Sequence, residues 1–276
     1  MRRIFADVLK SNKIDITREY SRLYDLFYKS KGLELTIYEA VNRNFNEIWF
    51  RGTCNTLVDF DNEYGFKFEE QPQNFDVDYL INFCEYVYNI SHAIRSSGDI
   101  YYCVGYKVRT LKEQVEKVIE LVEHTYIDSD NGLTILVPEK PEAIYVAEVV
   151  SESLSNKILE YNHHSLQNNL EGKKEILLKI ADELEPQRAD LSKLDSSLES
   201  NLFYAFNKFN IRHNNCNPKA KTKYVSQFAL LSNEEKEELY DWAYNQSLIA
   251  FIKLENAGLN EKFKEIKNKI DNNIIE

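Results

Sequence analysis

The chain has 276 residues, 43% of them hydrophobic and 29% charged, a composition that excludes intrinsic disorder and collagen-like sequence and leaves room for two ordinary domains. With only 8 Gly and 5 Pro there are too few turn formers for a many-stranded sandwich or barrel, so a mainly α protein is predicted. The formal net charge of −11 argues against a protein that coats nucleic acid through its overall charge.

The opening Met-Arg-Arg-Ile-Phe meets Asp7 and Lys10 at once and lacks the apolar region of a signal peptide. Residues 17–31 and 33–49 carry apolar side chains at helical spacing (Tyr20, Leu23, Tyr24, Phe27; Ile37, Val41, Phe45, Ile48) around a break at Gly32, which predicts a helical hairpin. The polar stretch Arg51 to Asn74 predicts loops around a short helix. From Asp76 a clear amphipathic helix runs to Ser96-Ser97-Gly98. Ile100 to Tyr106 suits either a strand or a helix, and Leu111 to Tyr126 predicts a charged amphipathic helix. Asp128-Ser-Asp-Asn-Gly132 is turn chemistry, and Leu133 to Val137, closed by Pro138, is the best strand candidate, so one small hairpin is expected. The predicted domains are 1–137, helical with the hairpin, and 138–276, helical throughout.

In that second half helices are predicted at 139–162, 170–190, 196–213, 232–257 and 260–273, with Pro186 kinking or ending the second. Ser196-x-x-Glu199 and Ser232-x-x-Glu235 both match a capping box. No heptad run is long enough to predict a coiled coil. No run approaches 18 apolar residues, so no membrane partner is expected. Cys54, Cys84, Cys103 and Cys216 have no paired spacing for zinc or redox work and suit a reduced, cytoplasmic protein.

Phosphate loops and metalloprotease, hydrolase-elbow and dinucleotide motifs are missing, which removes most familiar enzyme classes. The informative stretch is the end of the 196–213 helix. Leu198, Leu202, Ala205 and Phe209 form an apolar stripe whose continuation lands on Arg212 and His213. A guanidinium at a core position must face a carboxylate or line a cleft, and Glu185 is one candidate carboxylate. From Asn207 to Lys223 there are five basic residues, Lys208, Arg212, Lys219, Lys221 and Lys223, with His213 and no acid. Two readings stay open. In one, Arg212 and His213 are an ordinary cationic helix end capped by Asn214-Asn215. In the other, His213 shuttles protons and Arg212 stabilises charge on a phosphate, with Asn207, Lys208, Asn214, Asn215, Lys219, Lys221 and Lys223 supporting substrate. His163, beside His164, is a second proton-transfer candidate; neighbours on a helix diverge by about 100°, so the two histidines are not expected to share a metal.

Leu198-Glu-Ser-Asn-Leu-Phe203, Asn207 and Ile211-Arg-His-Asn-Asn215 together resemble the Ile-Arg-His segment of AbiJ-like abortive-infection proteins, and Asp130 to Pro138 resembles the small hairpin before their C-terminal region. The resemblance covers the second half of the chain, and the first half only in general layout. It implies an anti-phage protein whose HEPN-like helical bundle is a metal-independent endoribonuclease, usually a homodimer, with a phage-encoded trigger and no cofactor. Active members space Arg and His by four to six residues, whereas Arg212 and His213 are adjacent. The competing expectation is a non-catalytic interaction module that dimerises or binds a partner protein.

Overall fold

A computed structural model describes residues 15–271 apart from 31, 33, 97 and 130, and the side chains of 93, 95, 96, 98–103 and 220–222 also lie outside the described residues. The readings of Asp7, Lys10, Ser97, Asp130, the Cys103 and Lys221 side chains and positions 272–273 therefore fall outside them. The protein is mainly α with one two-stranded hairpin, and its chain divides into two compact units, Met1–Pro138 and Glu139–Glu276.

In the first unit α1 (Ile16–Tyr28) starts at Asp15, whose carboxylate accepts from the Arg18 N–H at 3.0 Å, and α2 (Ile37–Arg43) starts in a Thr36/Glu39 capping box. The second helix is shorter than its sequence pattern, with Phe45–Glu47 continuing as a single 3-10 turn. α3 (Leu57–Tyr64) ends at Gly65, whose φ of 73° suits a residue without a Cβ. α4 (Val77–Ile90) buries Leu80, Ile81, Phe83, Cys84 and Val87, and α5 (Gly98–Leu121) takes in Ile100 to Tyr106, settling that segment as helix. Burial pushes the Cys84 thiol well above its usual pKa, as expected for a small buried hydrophobe.

α5 stops at Leu121, five residues short of the predicted Tyr126. Glu123 takes a φ of 55°, which a helix cannot accommodate, and His124–Asp128 continues as β1. β1 pairs antiparallel with β2 (Thr134–Pro138), with Tyr126 opposite Leu136. Side chains of α4 hold β2 in place: Glu85 accepts from the Leu136 N–H at 2.6 Å, while Asn89 accepts from the Thr134 N–H and donates to its carbonyl at 2.9 and 2.7 Å. Around Phe83 the core is aromatic, with Tyr20 edge-on at 5.1 Å and Phe68 at 4.9 Å between ring centroids.

Tyr86 donates to the Asp61 carboxylate at 2.8 Å, yet burial outweighs that bond and pushes the Asp61 carboxyl up to about 6. A carboxyl raised above its unfolded value binds more protons when folded, so its contribution is favourable at low pH and is lost as pH rises from about 4 to 6. Asp61→Asn is expected to raise stability at pH 7 by about 1 kcal/mol and to leave it unchanged near pH 4, as read by urea unfolding at both pH values.

The second unit opens with α6 (Pro141–Val149) and α7 (Glu152–Glu160), where one helix was predicted. The break falls at Ser151, whose N–H and hydroxyl both donate to the Glu183 carboxylate, at 3.2 and 2.9 Å, instead of to the helix. α8 (Leu170–Leu184) ends where Pro186 enters a 3-10 turn, and α9 (Arg188–Leu194) follows. α10 (Ser196–Lys208) is capped by Asp195, which accepts from the Leu198 N–H at 2.9 Å; Ser196 is not the cap, and Glu199 instead accepts from Arg188 at 2.5 Å. After the short α11 (Ser226–Ala229), α12 runs unbroken over Asn233–Asp271, where two helices were predicted, and the Ser232/Glu235 capping box that starts it is present. Gly258, which lies in the gap between the two predicted helices, sits in helical backbone with open space where a Cβ would be, and only weakens the helix locally. The core gathers Leu177, Ile180 and Leu184 of α8, Leu202, Phe203 and Phe206 of α10, and Tyr240, Tyr244 and Ala250 of α12.

Candidate functional site

α10 ends at Lys208, so Arg212 and His213 lie beyond the helix and not on its stripe as predicted. The chain turns away because Asn210 takes a φ of 60°, a conformation that Asn tolerates better than most residues, and the Arg212 N–H returns to the Phe206 carbonyl at 3.0 Å. The directions of Arg212 and His213 are therefore set by a loop and not by helical geometry.

That loop is organised by Asn215, which is buried at 1% exposure. Its side-chain oxygen accepts from the Asn210 N–H at 2.9 Å, its side-chain nitrogen donates to the Lys223 carbonyl at 2.5 Å, and its carbonyl accepts from the Val225 N–H at 2.9 Å. The effect is to fold Lys223 back over His213, with Nζ 3.1 Å from Nε2. An ammonium can only donate, so Nε2 accepts and the imidazole is neutral, with its proton on Nδ1. His213 is also held below its usual pKa, first by burial and then by the positive charges of Lys223, Arg212 and Lys208.

Asn207, Lys208, His213, Asn215 and Lys223 line one open pocket of about 430 Å³. Among the described residues lining it none is acidic. Asn207 is oriented by donating to the Phe203 carbonyl at 2.8 Å. The pocket thus presents two ammonium groups, a neutral imidazole and carboxamides, a set suited to an anion.

The other predicted residues are placed elsewhere. Arg212 does not line the pocket; it points into the bundle, with its side chain 15% exposed, paired to Glu185 and donating to the Ala181 carbonyl at 2.5 Å near the C-terminal end of α8. Its guanidinium lies 5.6 and 5.7 Å from the Phe203 and Phe206 ring centroids, and its Nε is buried with no partner. Asn214 and Lys219 are exposed and line no part of the pocket. His163 precedes a 3-10 turn, His164–Leu166, and its Nδ1 lies 2.7 Å from the Ser165 hydroxyl.

His163 lines a separate polar cavity of about 230 Å³ with Tyr161, Asn162, Lys173, Asp241 and Tyr244, residues that sequence reasoning missed. There Lys173 bridges Glu237 and Asp241 at 2.7 and 2.6 Å while Tyr161 donates to Asp241 at 2.9 Å. Lys173 sits on the apolar stripe of α8 with Ile176, Leu177 and Ile180, the same signal that singled out Arg212.

Fold and site together define a two-unit, mainly helical chain with a cationic, imidazole-containing pocket in its second unit. Compared with protein-family models, curated proteins and solved structures, the chain finds no match among any of them. Among the described residues no helix is long and apolar enough to cross a membrane.

Proposed function

We propose that the chain is a cytoplasmic anti-phage protein of the abortive-infection kind that binds RNA phosphate at Lys208 and Lys223 and cleaves the neighbouring bond with His213. One observation carries this reading: the His213 imidazole stands beside an ammonium in a pocket with an acid-free described lining. As the Lys223 ammonium turns from Nε2 onto the phosphate, Nε2 of the neutral imidazole can take the proton of a ribose 2′-hydroxyl while that oxygen attacks phosphorus. As the bond from phosphorus to the 5′-oxygen breaks, the imidazolium returns that proton to the leaving oxygen, and a 2′,3′-cyclic phosphate remains. The ammonium groups offset the charge that grows on the phosphate oxygens. They also make the lining unfavourable to a metal ion, so the reaction is assigned to side chains alone. Arg212, paired inside the bundle, is reassigned from a charge stabiliser to a positioning residue that ties the His213 loop to α8. A HEPN-like bundle acting as a pair of copies, with a phage-encoded trigger that raises its basal rate of cutting, belongs to the same reading, as the resemblance implies.

The test is incubation of the full chain with total RNA in EDTA beside His213→Ala, with folding checked by circular dichroism and melting. Wild type is expected to leave 2′,3′-cyclic ends, and the variant to cut more slowly by about 10²–10⁴-fold. Equal rates, or no cutting by either protein, would overturn the catalytic reading. RNA affinity measured in parallel, with the double variant Lys208→Glu, Lys223→Glu as control, is expected to drop for the double variant. Wild-type binding should strengthen as pH falls below the ordinary imidazole range and His213 gains charge.

A further inference from the structure

The far end of α12 extends past the core of its unit. Phe251 is the last buried side chain of the helix, and from position 258 to 271 every residue is exposed. On that exposed end Leu259, Phe263, Ile266 and Ile270 are 46%, 65%, 57% and 68% exposed, large fractions for apolar side chains. Their spacing of four, three and four residues places them on one narrow stripe, the alternating pattern of a coiled-coil seam. Phe263 and Ile270 fall seven residues apart at one core position, and Asn256 occupies the same position one heptad earlier.

We propose that this end of α12 is an interaction surface that pairs in parallel with the same segment of a second copy of the chain. Asn256 argues for a second copy. At such a core position a carboxamide is satisfied by an identical carboxamide opposite it, which happens only when two equal helices lie parallel and in register. Against an unlike apolar helix it would be buried without a partner. The helix is already nucleated by the folded bundle, so pairing does not carry the cost of starting a helix.

The flanking charges make the pairing weak and adjustable. Lys262 and Lys267 border the stripe, with Glu261 and Glu265 on the opposite side of the helix. In a parallel pair Lys262 faces Lys267 of the second copy, so association tightens as salt screens the repulsion. An acidic helix of another protein, or an anionic membrane surface, would behave in the opposite way.

The inference rests on the two-copy part of the reading above and not on the pocket; association and RNA cleavage are read separately, so either can fail alone. The experiment is sedimentation of the full chain over a range of concentration and salt, for wild type, Lys262→Glu and Ile266→Lys, with melting temperatures alongside. Wild type should pass from monomer to dimer, more readily at high salt. Lys262→Glu turns two like pairs into two opposite ones and should tighten the dimer several-fold, while Ile266→Lys should be monomeric with an unchanged melting temperature. A wild type that stays monomeric throughout, a dimer that survives Ile266→Lys, or a Lys262→Glu dimer no tighter than wild type would overturn the proposal.

Discussion

Arg212→Ala is expected to lower the melting temperature of the chain by about 5–10 °C, whereas His213→Ala should move it by no more than about 1 °C. The difference follows from where the two side chains go. Arg212 is 15% exposed, and its removal deletes the pair with Glu185, the bond to the Ala181 carbonyl and the packing against Phe203 and Phe206. Glu185 is half exposed, so the loss is smaller than for a fully buried pair, about 2–3 kcal/mol, with each kcal/mol worth about 2–4 °C in a chain of this size. Arg212→Lys keeps the charge and loses the forked geometry, and should recover part of the stability. His213 faces the pocket, where its ring meets the surface ammonium of Lys223 and the Arg212 backbone and fills no part of the apolar core. If the two alanine variants melted alike, Arg212 would not anchor the loop, and its reassignment as a positioning residue would fail with it.

Arg212 stands out in the sequence by its spacing, and its side chain is paired with a carboxylate. An arginine where the apolar spacing asks for a core residue must find a carboxylate or a cleft; it finds Glu185. The position of His213 was misread because the spacing was carried past Lys208, and nothing in residue type alone says that Asn210 will reverse the chain there. Asn215 was legible as a polar residue at a helix end but not as the buried residue that draws Lys223 onto His213, since that depends on three backbone groups meeting at one carboxamide. The same limits explain the helix ends elsewhere. Ser151 breaks a predicted helix because Glu183, 32 residues away, competes for its N–H. The exposed seam of α12 is hidden when 232–257 and 260–273 are read as two helices, because a seam divided between two helices has no register. Pro186, the Ser232 box and the Gly132 turn, by contrast, act through their own backbone and were readable directly.

Lys173→Met is expected to be the most destabilising single change in the second unit outside its apolar core. Lys173 is 6% exposed and compensates Glu237 and Asp241 together, with its ammonium 5.3 Å from the Tyr161 ring centroid. Methionine fills most of the volume but leaves the Glu237 and Asp241 carboxylates without their shared cation; because Asp241 is half exposed the cost falls to the low end of the range for a buried pair, about 3 kcal/mol, on the order of 10 °C in melting temperature. The pH dependence separates lost charge from lost packing. Burial pushes the Glu237 carboxyl up, but the bonds from Lys173 and the Asn168 N–H outweigh it and hold the group below the usual carboxylate range. A carboxylate depressed in this way stabilises the fold above its unfolded pKa, and that contribution is lost as pH falls through the folded value. In Lys173→Met the depression is relieved, so the gap between wild type and variant should be widest near pH 7 and should narrow below about pH 4.5. A gap that stayed constant from pH 7 to 4 would assign the loss to packing alone. Adding Asp241→Leu to the variant should restore part of the stability, because a buried charge cluster replaced by apolar side chains costs less than one left half-made. This network joins α8 and the 161–169 segment to α12 through Glu237 and Asp241, so it also fixes the base from which the exposed end of that helix projects.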